Sequence, residues 1–201
     1  MSGRSPRWVK DIKKKGVPSS YTRLEYIQSS GTQRINTGIP SSKNLRVEAI
    51  MDVTAGSSWI MILGDYTSKK YFSWRASGST AYAYFGSKSG TMPLPSGKHT
   101  YIADGPNEEW KIDSTSISVE PASDDFSTDG DTLCLFTVNN GGSYPSASLK
   151  LYRCKIYSGT KLVRDFIPCK TEGGAIGLYE AVQERLYINE GSGTFTAGPE
   201  M

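Results

Sequence analysis

Apolar and polar positions alternate along much of this chain, with a period of two residues. The stretch from Leu45 to Val53 is the clearest case, because every second side chain is apolar and the positions between include Arg46, Glu48 and Asp52. Alternation of this kind predicts a β-strand with one buried face and one face toward solvent.

Residues 21–38, "YTRLEYIQSSGTQRINTG", show the same alternation on both sides of a Ser30-Gly31 dipeptide. A serine-glycine pair between two alternating runs is a turn signal. The sequence therefore predicts two short strands joined as a hairpin.

Further strand-like runs follow at short intervals, namely "SSWIMILGDY", "YFSWRAS", "TAYAYFGS", "KHTYIAD", "EEWKID", "SISVEP", "TLCLFTVN", "SLKLYRCKIY", "KLVRDFIP", "AIGLYE" and "RLYINE". Many short strands with frequent turns, and no alternation of strands with helices, predict an all-β fold of the two-sheet antiparallel jelly-roll sandwich type. At 201 residues the chain has room for one such domain, which we place at residues 21–201 after a leader at residues 1–20.

The leader contains "SPRWVKDIKKKG", which predicts a short basic helix. Ser5 suits the N-cap and Gly16 the position after the last turn. Residues 1–20 hold six basic residues and one acidic residue, a net charge of +5, whereas the whole chain carries +3. The body is therefore slightly acidic, and specific nucleic-acid binding is not expected.

Two interpretations of the leader stay open. It is either a solvated, partly frayed segment, or an arm that docks an apolar stripe on a partner or on the body while its basic side faces an acidic surface. In the second interpretation the docking residues are Arg7, Trp8, Ile12, Lys13, Lys14 and Lys15.

The cysteines and the N-terminus bear on where the protein is made. Three cysteines, an odd number, argue against a disulfide framework. A turn centred on residues 158–160 would place Cys154 opposite Arg164, too far from Cys169 for a bridge. No segment has the apolar core of a signal peptide or the length of a membrane span. The sequence predicts reduced thiols and synthesis in a cytoplasm.

Catalytic chemistry has little support in the sequence. Glycan hydrolysis needs converging carboxylates, and no glutamate is followed by an aspartate two positions later. His99 is the single histidine, and the cysteines lack the spacing of a zinc site. We expect no enzyme activity, no catalytic or metal-binding residues and no cofactor. Calcium at a rim remains an alternative, because one stretch is rich in acidic residues: Asp124, Asp125, Asp129 and Asp131.

Aromatic residues give the best binding signal. Alternation places Phe72 and Trp74 on one face of a predicted hairpin, and the other face carries Tyr71, Arg75, Tyr82 and Tyr84. Flat rings with polar edges suit sugars and protein partners, and a guanidinium adds planar hydrogen bonding. These four residues are the predicted ligand-binding face. The alternative is that the tyrosines only cover a sheet.

Three segments together resemble a group of laminin-G-like, concanavalin A-like jelly rolls that occur in bacteriophage and prophage structural proteins of gut bacteria. These are "RLEYIQSSGTQRINTGI", "KIYSGTKLVRDFIPC" and "IGLYEAVQERLYINEGSGTFTAGPE", and the resemblance covers residues 21–200. In the last segment Glu180 stands where the group usually has Asp. The resemblance implies that the first and last strands lie together and that the motifs serve packing.

The resemblance also implies a function. The first hypothesis is a non-enzymatic virion structural protein, a head decoration or a tail or fibre component, attached to capsid or tail proteins through the leader and multimeric on the particle. The alternative is a carbohydrate-binding or receptor-binding, lectin-like module with host or mucosal glycans as ligands. In both cases the protein is expected in the virion, with no membrane partner.

Overall fold

The computed structural model describes residues 16–54, 56, 58–140 and 147–201. The described residues contain no α-helix and form seventeen strands: β1 (Tyr21–Arg23), β2 (Ile27–Ser30), β3 (Ile35–Pro40), β4 (Leu45–Val53), β5 (Ile60–Asp65), β6 (Tyr71–Ser77), β7 (Thr80–Gly86), β8 (Lys88–Pro93), β9 (Lys98–Asp104), β10 (Glu109–Ile112), β11 (Thr115–Ser118), β12 (Thr132–Leu135), β13 (Ser148–Ser158), β14 (Lys161–Thr171), β15 (Ile176–Glu180), β16 (Arg185–Ile188) and β17 (Thr196–Ala197).

The strands form two antiparallel sheets that pack as a sandwich. The larger sheet has eleven strands, in the order β11-β10-β9-β4-β13-β14-β15-β16, with β1 beside β14 and β2 between β13 and β17. The smaller sheet has six strands, in the order β3-β12-β5-β6-β7-β8. The predicted all-β, two-sheet antiparallel architecture is confirmed.

The core lies between the sheets and is rich in aromatic rings. Phe72 and Trp74 of β6 face inward from the smaller sheet, as the alternation predicts, and are fully buried. They meet Trp110 of β10 in the larger sheet, with ring centroids 5.1 and 5.2 Å apart. Leu45, Val47, Ala49, Met51 and Val53 of β4 are also buried, so the predicted inner face of this strand is confirmed.

The predicted hairpin at residues 21–38 is wrong, although both strands exist. β2 lies in the larger sheet and β3 in the smaller one, so the turn between them carries the chain from one sheet to the other. Ile27 and Ile35 are both fully buried, one from each sheet. Alternation identifies the buried face of a strand but not the sheet that it joins. The expected proximity of the first and last strands is confirmed, because β17 pairs with β2.

Two further details differ from the predictions. β8 was not predicted, because only Met92 of this edge strand is buried and its apolar pattern is weak. The β13–β14 turn is shorter than predicted, because Ser158 already pairs with Lys161, and a β-bulge between Ile156 and Tyr157 shifts the register by one more residue. Cys154 therefore lies opposite Phe166 and not Arg164. All three cysteines are free and buried, as expected for reduced thiols.

The body of the protein reaches back slightly beyond residue 21. Val17 and Tyr21 pack against a cluster on the outer face of the larger sheet, formed by Ile167, Cys169, Tyr179 and Ala181. The predicted basic helix and its docking residues Arg7, Trp8, Ile12, Lys13, Lys14 and Lys15 lie outside the described residues. The described part of the chain contains no helix with the length and apolarity needed to cross a membrane.

Candidate binding site

The four predicted ligand-binding residues lie together on the outer face of the smaller sheet. β6 and β7 are paired so that Arg75 lies opposite Tyr82 and Ser73 opposite Tyr84. Tyr71 contacts Tyr84 across the same face, with ring centroids 6.1 Å apart and the rings nearly perpendicular. Side chains two residues apart on a strand point to the same face, so the register produces a compact patch.

Arg75 is the centre of this patch. It was predicted to lie on an exposed face, but it is buried. Only 4% of the residue is accessible to solvent. Its guanidinium carbon lies 4.0 Å from the ring centroid of Tyr66 and 4.0 Å from that of Tyr84. The cation is therefore held between two tyrosine rings, in favourable cation–π geometry. The sequence did not reveal this burial because Tyr66 comes from the segment after β5.

The hydrogen bonding of Arg75 is incomplete. Its Nε donates to Ser73 Oγ at 3.2 Å, whereas the buried Nη2 has no hydrogen-bond partner among the described residues. No carboxylate of the described chain forms an ion pair with Arg75. Burial lowers the pKa of this guanidinium from its usual value, although the surrounding tyrosines oppose the shift.

Two aromatic residues outside the predicted set extend the patch toward solvent. Tyr66 is 37% exposed and stacks on Tyr71, with centroids 4.7 Å apart and planes 7° from parallel. Trp59 is 48% exposed and contacts Tyr82 at 4.5 Å between centroids. We call Trp59, Tyr66, Tyr71, Tyr82 and Tyr84, together with Arg75, the aromatic patch. Burial, followed by the neighbouring Tyr66, raises the pKa of Tyr71.

The backbone that carries Tyr66 is firmly held. The N–H of Tyr66 donates to the carbonyl of Asn139 at 2.7 Å. On one side, fully buried Asp65 accepts from Ser41 Oγ and from the N–H and hydroxyl of Thr67, both at 2.8 Å. Burial is the main cause that raises the pKa of Asp65. The tyrosine ring thus extends toward solvent from a fixed main chain.

The edge strand β8 adds polar groups beside the rings. Its pairing with β7 places Thr91 opposite Tyr82 and Ser89 opposite Tyr84. Both residues are exposed. Tyr82 and Tyr84 of β7 therefore border two hydroxyl groups that can donate and accept hydrogen bonds. Neither residue was predicted to lie in the site, because the weak apolar pattern of β8 does not predict the strand that carries them.

The acidic stretch considered for calcium is occupied by structural contacts. Asp124 forms an ion pair with Lys69. Buried Asp125 accepts from Ser87 N and Ala122 N, at 2.6 and 2.8 Å. Asp131 Oδ2 lies 2.9 Å from the hydroxyl oxygen of Thr67. Among the described residues, no group of three or more His, Cys, Asp or Glu side chains is arranged to hold a metal ion.

His99 also has local partners. Its Nδ1 lies 2.5 Å from Asp113 Oδ2, and its Nε2 lies 2.9 Å from the carbonyl oxygen of Ser96. The hydrogen bond to Asp113 is the main cause that raises the pKa of His99. Both ring nitrogens are thus engaged within the β9–β10 region.

The motifs that carry the family resemblance are occupied by backbone contacts. Glu180, fully buried, accepts from the N–H groups of Asp165, Val182 and Gln183 at 2.7–2.9 Å. Asn189 accepts from the N–H groups of Arg34 and Gly191. Such contacts shape turns, so these two polar side chains are engaged locally.

Comparison of the chain with protein-family models and with curated proteins gave no match.

Proposed function

We propose that this protein is a non-enzymatic binding module that takes carbohydrate on the aromatic patch of its smaller sheet. The observation that carries the proposal is the arrangement of five aromatic side chains on the solvent side of β6, β7 and the segments flanking β5, with exposed hydroxyls on β8. Apolar ring faces stack on the C–H faces of sugars, and hydroxyl groups bind their polar edges.

The spacing of the rings fits an extended glycan better than a single sugar. Tyr82 and Tyr84 are two residues apart on β7, which separates them by about 7 Å along the strand. Trp59 extends the first position and Tyr66 with Tyr71 the second. The patch thus offers two adjacent stacking positions, comparable with neighbouring sugar units of a chain.

A glycan array with the purified chain tests this proposal. Trp59→Ala and Tyr82→Ala each remove part of one stacking position from a partly exposed site. We expect a loss of affinity of about tenfold in each variant, the size of a lost aromatic contact. Tyr152→Ala is the matched control. Tyr152 packs on Tyr26 at 5.3 Å between centroids and lies under Lys98, in the larger sheet, away from the patch.

Failure would take one of two forms. Absence of binding to every glycan would overturn the proposal. Binding that survives Trp59→Ala and Tyr82→Ala, or that falls equally in Tyr152→Ala, would remove the aromatic patch as its site.

We further propose that the module is a concanavalin A-like jelly roll displayed on a phage particle and attached through its N-terminal arm. The supporting observation is that Val17 and Tyr21 pack on the outer face of the larger sheet, whereas the aromatic patch is on the outer face of the smaller one. An arm that precedes Val17 would attach the module on the side away from the patch.

Deletion of residues 1–15 tests the attachment, because it spares Val17 and Tyr21. We expect the truncated protein to keep its unfolding temperature. We also expect that phage particles assembled in its presence do not incorporate it. A second variant, Trp8→Ala in the full-length chain, should show the same loss of incorporation. Normal incorporation of the truncated protein would contradict the attachment.

A further inference from the structure

Arg75 is a buried cation whose charge the described chain leaves without a carboxylate partner. A buried guanidinium is ordinarily paired with an anion and has its N–H groups satisfied, since an unpaired buried charge is costly. Here the rings of Tyr66 and Tyr84 supply cation–π attraction, and Ser73 accepts from Nε. The Nη2 group remains buried and without an acceptor among the described residues.

The position of the Nη2 group in the aromatic patch indicates where an acceptor could come from. The guanidinium of Arg75 lies at the centre of the aromatic patch, between the rings of Tyr66 and Tyr84. Tyr66 is the most exposed of the rings that contact it. Rotation of the Tyr66 side chain, whose ring centroid lies 4.0 Å from the guanidinium carbon, would expose the guanidinium to a ligand seated on Tyr71, Tyr82 and Tyr84.

From these observations we propose that the ligand is an acidic carbohydrate, whose carboxylate pairs with Arg75 while its ring stacks on the neighbouring aromatic side chains. This rests on the proposed carbohydrate-binding function. A carboxylate matches the planar, forked donor arrangement of a guanidinium and accepts two parallel hydrogen bonds. It would supply both the missing acceptor and the missing negative charge, and Thr91 and Ser89 remain available to the sugar hydroxyls.

The test compares matched ligands on one protein. Oligosaccharides that contain uronic acid or sialic acid are assayed by calorimetry beside the same oligosaccharides with the carboxyl group methyl-esterified. We expect the acid to bind at least about tenfold more tightly than the ester, the size of a charge-assisted hydrogen bond. Sulfated oligosaccharides without carboxylates form a third set.

The protein side uses Arg75→Met, which keeps an unbranched apolar stem between the rings and removes the charge. We expect this variant to lose the preference for acid over ester while it retains weaker binding through Trp59 and Tyr82. Its near-ultraviolet circular dichroism reports whether the rings keep their packing. The ligand pair on the unaltered protein decides the proposal even where Arg75→Met fails to fold.

The outcomes separate the two proposals. Equal binding of acid and ester, an acid preference that persists in a folded Arg75→Met variant, or binding restricted to sulfated oligosaccharides would overturn the inference and leave carbohydrate binding in place. Absence of binding to every oligosaccharide would overturn both.

Discussion

Gln33 Oε1 accepts a hydrogen bond from Ser29 Oγ at 3.0 Å and another from the N–H of Ser30 at 2.8 Å. These bonds cross the turn by which the chain passes from β2 in the larger sheet to β3 in the smaller one. The amide nitrogen of Gln33 also reaches the carbonyl of Ser192 at 3.3 Å. One buried side chain therefore joins the sheet-crossing turn to the loop before β17.

We expect Gln33→Ala to destabilise the fold by about 1–3 kcal/mol, because it leaves buried donors without their acceptor. Urea unfolding of the purified protein measures this. Gln28→Ala is the control, since Gln28 lies in β2, the strand that precedes this turn, and is only partly buried. Equal losses in the two variants would show that the turn does not depend on Gln33.

Glu180 should be a stability residue and not a catalytic one. Its carboxylate accepts hydrogen bonds from three backbone N–H groups, that of Asp165 in β14 and those of Val182 and Gln183 in the β15–β16 turn. We expect Glu180→Ala to cost on the order of 3 kcal/mol, and Glu180→Asp to cost less, because the shorter side chain keeps the charge. Chemical unfolding checks both. Glu172→Ala, at an exposed position, should change stability by no more than about 0.5 kcal/mol.

An unfolding midpoint of Glu180→Ala close to that of Glu172→Ala would contradict the structural role. It would return Glu180 to consideration as a site residue in the motif "GLYEAVQERLYIN".

Features that depend on neighbouring residues in the sequence could be predicted, whereas features that depend on contacts between distant parts of the chain could not. The buried face of β4 follows from residues that are adjacent in sequence, so alternation was sufficient. The sheet-crossing turn at Gln33 was mistaken for a hairpin, because the choice of sheet depends on partners such as Ser192 far along the chain. In the binding site, by contrast, alternation correctly predicted one shared face for Tyr71, Arg75, Tyr82 and Tyr84. The burial of Arg75 depends on Tyr66, which only the fold brings over it.

Gly86 should tolerate substitution less well than another glycine in the same backbone conformation. Gly86 has φ +58°, and a methyl group at this position would overlap the side chain of Asp125. Gly78 has φ +54° with open space around it. Both alanine variants carry the strain of a positive φ, about 1 kcal/mol. Gly86→Ala additionally displaces Asp125 from the N–H groups of Ser87 and Ala122.

We therefore expect Gly86→Ala to lower the unfolding temperature clearly more than Gly78→Ala, as measured by differential scanning calorimetry. Similar unfolding temperatures would mean that Asp125 can move without loss.

The three thiols should be unreactive in the folded protein. Burial raises the pKa of Cys134 to about 12 and that of Cys169 to about 11, and it also raises the pKa of Cys154. Since the thiolate is the reactive form, we expect very slow modification by a chromogenic disulfide reagent near pH 8. Unfolding in guanidinium chloride should expose all three. Rapid modification of a thiol in the native protein would contradict its burial.

His99 should titrate above its usual pKa, and the sign of its effect on stability follows. The chain contains one histidine, so its imidazole proton resonances can be followed by NMR without assignment. The hydrogen bond to Asp113, with a smaller contribution from the carbonyl of Ser96, raises the folded-state pKa of His99 above 6.5. The protonated form is thus favoured by folding. Its contribution to stability is fully present below about pH 6.5 and is lost as the pH rises through the folded-state pKa.

Asp113→Asn provides the decisive comparison, because it removes the negative charge and keeps the side-chain volume. We expect the pKa of His99 to fall toward its usual value in this variant. In the protein that keeps Asp113, the difference in urea midpoint between the unaltered chain and His99→Gln should shrink as the pH rises from about 5.5 to about 9. The pKa of Asp113 is itself lowered, first by the N–H of Thr100 and then by His99. The carboxylate therefore stays ionised throughout this window, and the change in midpoint reports His99. A pKa of His99 that is unmoved by Asp113→Asn would show that the pair does not persist in solution.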